Sequence, residues 1–287
     1  GYKTSKSRLS YTLPEMTCMK SEDLKKIDSL AIKGISDTIY PGCQVLVAKD
    51  GQVIYYKSFG HHTYPYPVYG LHADTGALAV KNSDLYDLAS LTKVVSTTMA
   101  VMKLYEQGRI STDSTLKKYL PEVAGTDKAG ITIKSLMTHQ ARLKAWIPFF
   151  TKTMHRATPD TAIYHKTPSE DYPLRVADSM YIRKNYQDTI LMTIVRSELR
   201  EKNNYVYSDL GFYLMKRIVE RITGESIANY VKKNFYGSLG LATMCYQPRD
   251  YFDLSRIVPS EYDTLFRKQV LQGDVNDPGA AMEGGIG

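Results

Sequence analysis

The stretch Tyr86-Asp87-Leu88-Ala89-Ser90-Leu91-Thr92-Lys93 sets a hydroxyl three residues ahead of an amine, at the start of a helical run from Val94 to Gly108. A serine hydroxyl is a poor nucleophile until a neighbouring group takes its proton. Lysine can take it only where burial or nearby positive charge lowers its pKa from about 10.4. Residues three apart share a helix face, so hydroxyl and amine come within reach. The serine N–H, at a helix N-terminus, points to where an oxyanion would develop. The spacing by itself is weak, because Ser114-Thr115-Leu116-Lys117 repeats it in a polar stretch before Pro121 and reads as an ordinary helix start. For either serine the plain alternative is a helix cap beside a solvated lysine. Ser90 differs in its short apolar approach and in the helix after it. There Val94, Thr98, Val101 and Tyr105 recur at helical spacing, predicting a buried stripe that ends at Gly108.

Other elements must hold these residues. Ser21 to Ile35 carries Leu24, Ile27 and Ala31 on one face, predicting an amphipathic helix capped by Ser21. "CQVLVAK" and "QVIYYKSFG" flank Asp50-Gly51, a dipeptide suited to a type I′ hairpin. The apolar character of the first run predicts a strand covered on both faces. His61 to Ser83 reads as an irregular excursion. A short helix is expected to end near His139, and Thr151 to Asn204 reads as a long loop with one or two helices. Leu210, Leu214, Ile218 and Ile222 then define a helix up to Thr223-Gly224, followed by a short helix and a glycine-rich exit. No repeat, low-complexity tract or linker divides the chain, so a single domain over 1–287 is expected, with strand-rich and helix-rich parts.

Composition excludes several classes. Of 287 residues 37 are basic and 30 acidic, a net charge of +7, yet no run of like charges marks a nucleic-acid arm. Three dispersed cysteines, Cys18, Cys43 and Cys245, make neither a disulfide framework nor a zinc site, and no H-E-x-x-H occurs, so no metal or cofactor is expected. No segment approaches the roughly 18 apolar residues of a membrane helix, and the N-terminal residues lack the apolar core of a signal peptide. An α/β-hydrolase is excluded by the absence of G-x-S-x-G; "YGSLG" is a near miss that follows a helix.

"YDLASLTK" resembles the first active-site motif of the serine β-lactamase and penicillin-binding-protein superfamily, in the branch of class C β-lactamases, D-alanyl-D-alanine peptidases and related esterases. "YPGCQVLVAKDGQVIYYKSFG" resembles that family's first hairpin, "SLMTHQARL" its "LLTHTSGL" segment, and "ERITGESIANYVKKNFYGSLGL" the helix and turn after its second motif. The matches run in order from about Asp23 to Leu241. The resemblance implies an α/β (α+β) β-lactamase-like fold, an antiparallel sheet flanked by helices with a helical lobe. The sheet lobe would span about 20–62 and the helical lobe about 86–250. Ser90 is implied as the acylated nucleophile and Lys93 as its proton partner.

The family's second motif, Tyr-x-Asn, is matched by Tyr207-Ser208-Asp209. Tyr207 is implied as a third proton-moving group. Tyr186-Gln187-Asp188 and Tyr251-Phe252-Asp253 share the tripeptide in a chain with 23 tyrosines, so flanking residues carry this match. Asp209 replaces the usual Asn, trading an amide that donates and accepts for a carboxylate that only accepts, which weakens recognition of a substrate carbonyl. Arg142 stands where "LLTHTSGL" has its glycine. His139 can orient the loop by hydrogen bonding and Trp146 can line the acyl pocket, with local packing as the plain alternative for both.

After Tyr207 no Lys- or His-x-Gly, the family's third motif, follows; "DPGAAMEGGIG" resembles the segment that leads into it. The expectation is therefore a chain incomplete at its C-terminus, lacking the strands that complete the sheet and the oxyanion hole. The function expected is a serine hydrolase forming an acyl-enzyme on Ser90 with a small-molecule or peptide substrate: a peptidoglycan peptide, an ester or a β-lactam. The competing reading is a noncatalytic binding or regulatory module that keeps the fold. The resemblance implies a periplasmic or cell-surface location.

Overall fold

A computed structural model of the chain describes residues 9–67, 73–202 and 204–285. Part of the excursion between His61 and Ser83, and the end of "DPGAAMEGGIG", lie outside them. Two compact units account for the contacts. One runs to Tyr86 and takes in Phe252–Pro259; the other comprises Asp87–Tyr251 and the chain from Ser260.

In the first unit, helix α1 (Ser21–Ser36) lies against a sheet in which the short strand β1 (Ser10–Tyr11) pairs parallel with β3 (Gln52–Gly60), itself antiparallel to β2 (Gly42–Lys49). Asp50 and Gly51 both have positive φ, 51° and 76°, so the two-residue turn has the backbone a type I′ hairpin requires. Leu24, Ile54 and Tyr55 form the buried centre of this unit. Tyr55 donates a 2.6 Å hydrogen bond to Asp28 on the helix, which also pairs with Lys57. Two expectations are corrected. Ser21 is the first helical residue rather than the cap, and its N–H is taken by Glu15 at 2.8 Å. The doubly covered strand is not β2, whose Leu46 is half exposed, but β3, with Val53, Ile54 and Tyr55 buried. Among the described residues β2 is paired on one side only, so its apolar composition marks an edge rather than a centre.

The second unit is built on α5 (Leu210–Thr223), where Leu210, Leu214 and Ile218 are fully buried, each worth on the order of 2 kcal/mol. Gly224, at φ 77°, ends it in the left-handed conformation. Against α5 pack α2 (Met99–Glu106), α3 (Ile133–Met137), α4 (Tyr186–Arg196), α6 (Ile227–Val231) and the π-helical turn Lys93–Thr98. The stretch read as a loop contains more order than its composition suggests. A tight hairpin joins Met154–His155 to Thr158–Pro159, and Tyr164–His165, Met180–Ile182 and Leu174–Ala177 form an antiparallel sheet in that order. These strands are two to four residues long, too short to show period two.

The helical stripe after Lys93 is out of phase with the expectation. Val94 and Tyr105 are exposed, and the buried set is Lys93, Ser96, Thr97, Ala100, Val101 and Leu104. The lysine itself belongs to the inward face, and the π turn adds a residue before the α-helix begins, which moves the apolar stripe around the axis.

Candidate active site

Ser90 sits in the single turn Ala89–Leu91, and Ala89 before it holds a left-handed φ of 44° without being glycine. A conformation of that kind costs about 1–3 kcal/mol and persists only where neighbours enforce it. Asp87 does so: one carboxylate oxygen accepts the Ala89 N–H at 2.9 Å and the other the Asn276 N–H at 3.0 Å. Ser90 is exposed, whereas Lys93, one turn on, keeps only 3% of its surface. The Lys93 Nζ donates to Ser90 Oγ at 3.1 Å.

Widening of the helix at Lys93–Thr98 is supported from a distance. The Tyr236 hydroxyl donates to the Val95 carbonyl at 3.0 Å, the Tyr246 hydroxyl to Ser96 Oγ at 2.6 Å, and Thr98 Oγ1 to the Lys93 carbonyl at 2.8 Å. Two backbone carbonyls of the π turn, those of Val95 and Lys93, thereby gain hydroxyl partners.

The other side of the lysine is formed by the start of α5. Asp209 Oδ1 lies 2.7 Å from Lys93 Nζ, and that nitrogen faces the rings of Tyr207 and Phe212 at 5.2 and 5.7 Å from their centroids. Removing an amine from water is costly unless charge and hydrogen bonds compensate, and the carboxylate, the serine and two aromatic faces do so. Tyr207 is 42% exposed and meets the lysine through its ring face.

His139 fixes the tyrosine. Its ring lies 4.4 Å from that of Tyr207 and 5.4 Å from that of Phe212. Its carbonyl accepts the Val206 N–H and its Nδ1 the Ser208 N–H, both at 3.1 Å. Burial, then the charge of Lys93, hold the His139 pKa below its ordinary value, which keeps the imidazole neutral and Nδ1 free to accept. Ser208 Oγ donates to the Lys144 carbonyl at 2.7 Å and the Asp209 N–H to the Ala145 carbonyl at 3.1 Å. Tyr207 is therefore clamped between residues 139 and 144–145.

Arg142, in the glycine's place, has φ 61°, the left-handed region glycine favours. Its Nε donates to the Arg200 carbonyl at 2.6 Å and its carbonyl accepts the Arg200 N–H at 2.8 Å, bonds that offset the strain.

Of the residues singled out from sequence, Ser90, Lys93, Tyr207 and Asp209 come together. Asp209 faces Lys93, so the structure gives it an ion-pairing contact beside the substrate-binding role expected of it. Trp146, half exposed, borders a neighbouring cleft whose lining includes none of these four. Asp87 and Phe212 were given no role; Asp87 lies within the first motif three residues before Ser90 and Phe212 three residues after Asp209, the signal that could have found them. The second Ser-x-x-K begins a single turn, Leu116–Lys118, with Lys117 exposed.

An inward lysine between a motif serine and a Tyr-x-Asp loop, on a helical unit, defines the β-lactamase-like class. The family model described as Beta-lactamase matches residues 27–254, and the chain belongs to that family. It is 28% identical over 245 residues to a provisionally named D-alanyl-D-alanine carboxypeptidase of Escherichia coli (strain K12), covering 84% of this chain and 51% of the relative. Among solved structures, the octameric penicillin-binding protein homologue from Pyrococcus abyssi matches with a TM-score of 0.60 at 18% identity, over 88% of this chain and 50% of that one. A class C β-lactamase matches with a TM-score of 0.54 at 18% identity, over 77% and 50%. The chain thus spans about half the length of the curated relative and of both structures. Among the described residues no helix is long and apolar enough to cross a membrane.

Proposed function

We propose that this chain carries the acylating site of a serine hydrolase. The observation that carries the reading is an exposed Ser90 hydroxyl 3.1 Å from the amine of a buried lysine. Ser90 Oγ bonds to the substrate carbonyl carbon while its proton passes to the Lys93 and Tyr207 pair. That proton then goes to the departing alcohol or amine as the old ester or amide bond breaks, leaving an acyl-serine. Water attacks the acyl carbon, releasing a carboxylic acid and restoring the Ser90 hydroxyl. The Ser90 N–H is one oxyanion donor. Candidate substrates are a D-alanyl peptide of the cell wall, favoured by the relative's name, a small ester or a β-lactam. A cell-envelope location accompanies that substrate.

One observation favours the noncatalytic alternative: Asp209 holds Lys93 at 2.7 Å and competes with Ser90 for it. The two readings separate on incubating the chain with a fluorophosphonate and with penicillin, followed by intact mass. A stoichiometric adduct that disappears in Ser90→Ala and persists in Ser114→Ala supports the hydrolase. A folded, full-length protein that takes up neither probe sinks it in favour of the binding module.

A further inference from the structure

The loop that anchors Tyr207 and Asp209 also forms one wall of an open cleft of about 780 Å³ on the second unit. Lys144 and Ala145 contribute their carbonyls to the site, and their side-chain neighbour Trp146 turns into the cleft. The opposite wall is α4. Three cations line the space, Lys144, Lys152 and Arg196, all exposed. Among the described residues no carboxylate lies within ion-pairing distance of any of the three. Asp188, the one acidic side chain in the lining, is held by Arg217 at 2.9 Å. A smaller recess of about 130 Å³ shares this wall and has Phe149, Tyr186 and Ile190 in its lining. The cleft volume is that of a small-molecule site, and its lining combines the apolar Trp146, Ile147, Pro148 and Met192 with three unneutralised cations.

We propose that this cleft is the substrate-selecting subsite, and that it takes an acyl arm with an apolar stem and an anionic end, carboxylate or phosphate. The assignment rests on the acyl-enzyme reading for its catalytic meaning. Position supports it, since the cleft starts one residue from the carbonyl that fixes Asp209. So does chemistry, since a guanidinium and two ammonium groups match an oxyanion better than any neutral group. Trp146 supplies a flat face for the stem.

Two readouts test the proposal separately from the reaction. In the first, kcat/KM is compared for p-nitrophenyl hemiglutarate and p-nitrophenyl butyrate, which differ in a terminal carboxylate. The expected preference for the hemiglutarate is about tenfold, the worth of one charge-assisted hydrogen bond. It shrinks with added salt and falls toward one in the triple variant Lys144→Gln, Lys152→Gln, Arg196→Gln. In the second, Trp146, the only tryptophan in the chain, reports binding by its fluorescence in Ser90→Ala, titrated with glutarate in one arm and inorganic phosphate in the other. A saturable change abolished by the triple variant supports the subsite, and the tighter arm identifies the anion. Equal turnover of the two esters, or a preference that survives the triple variant, overturns it. If neither ester is turned over, the acyl-enzyme reading fails, and the fluorescence alone decides: saturation keeps the anion site, and no saturable change in either arm removes it.

Discussion

Two Ser-x-x-K sequences in one chain meet opposite fates. At Ser90 the lysine is buried to 3% exposure, bonded to the serine at 3.1 Å and to Asp209 at 2.7 Å, and roofed by Tyr207 and Phe212. At Ser114 the motif lysine, Lys117, is exposed, and it is the next one, Lys118, that reaches Ser114 Oγ, at 3.3 Å from the surface. The local spacing is the same, so spacing only makes the two groups neighbours. What differs is the second segment brought over the lysine. A solvated lysine amine is a permanent cation at neutral pH, whereas an enclosed one exchanges charge and hydrogen bonds with defined partners.

The comparison breaks most sharply at the lysines. Lys93→Met is expected to slow fluorophosphonate labelling of Ser90 by roughly 10²–10⁴-fold, the range of a lost general base, while Lys117→Met changes it by less than about twofold, as surface substitutions do. Time-resolved intact mass measures both. Equal losses would mean that burial of Lys93 has no bearing on reactivity. Next in size is Asp209→Asn, which removes the countercharge from Lys93 and returns a donor for a substrate carbonyl. Penicillin acylation is expected to rise by about tenfold, equivalent to one net charge-assisted hydrogen bond. A fall would assign Asp209 to holding Lys93 in place rather than to restraining it.

How much of this site could be read in advance depended on the range of the interactions. The Ser90–Lys93 pair, the α5 stripe and the Asp50-Gly51 turn were legible because each is set within a few residues. The phase of the helix after Lys93 was not, because the π turn is held by Tyr236 and Tyr246, more than a hundred residues away. The small sheet between Tyr164 and Ile182 was invisible for a different reason. Its strands are too short for period two, and Arg175 is secured by Asp274 at 2.6 Å, a partner no local window contains. The setting of Trp146 divided likewise: its exposure in a cleft depends on α4, which the sequence offered only among one or two helices within a loop.

His139 supplies a gentler probe of the same enclosure. Its folded pKa is depressed and the imidazole stays neutral, so as pH falls below the ordinary value of about 6.5 the unfolded chain takes up a proton the folded chain resists. The stabilisation is complete above that pH and is lost on descending toward the folded pKa. Melting temperature measured between pH 7.5 and 5.5 should therefore drop more steeply in the parent than in His139→Gln, which has no imidazole to titrate. Parallel slopes would show that the ring is not shielded by Lys93 and its burial.

Arg142→Gly gives the smallest expected effect and tests whether the departure from the family's glycine is compensated. Glycine would relieve the left-handed strain at φ 61°, worth about 1–2 kcal/mol for an L-residue. The change would also delete the Nε bond to the Arg200 carbonyl, worth about 1 kcal/mol, and loosen the unfolded chain by a similar amount. The terms oppose one another, so the melting temperature should move by no more than about 4 °C in either direction. A larger loss would mean that the arginine fixes the 139–145 segment beyond its one side-chain bond. Labelling of Ser90 would then fall with it, because that segment clamps Tyr207 and Asp209 around the lysine.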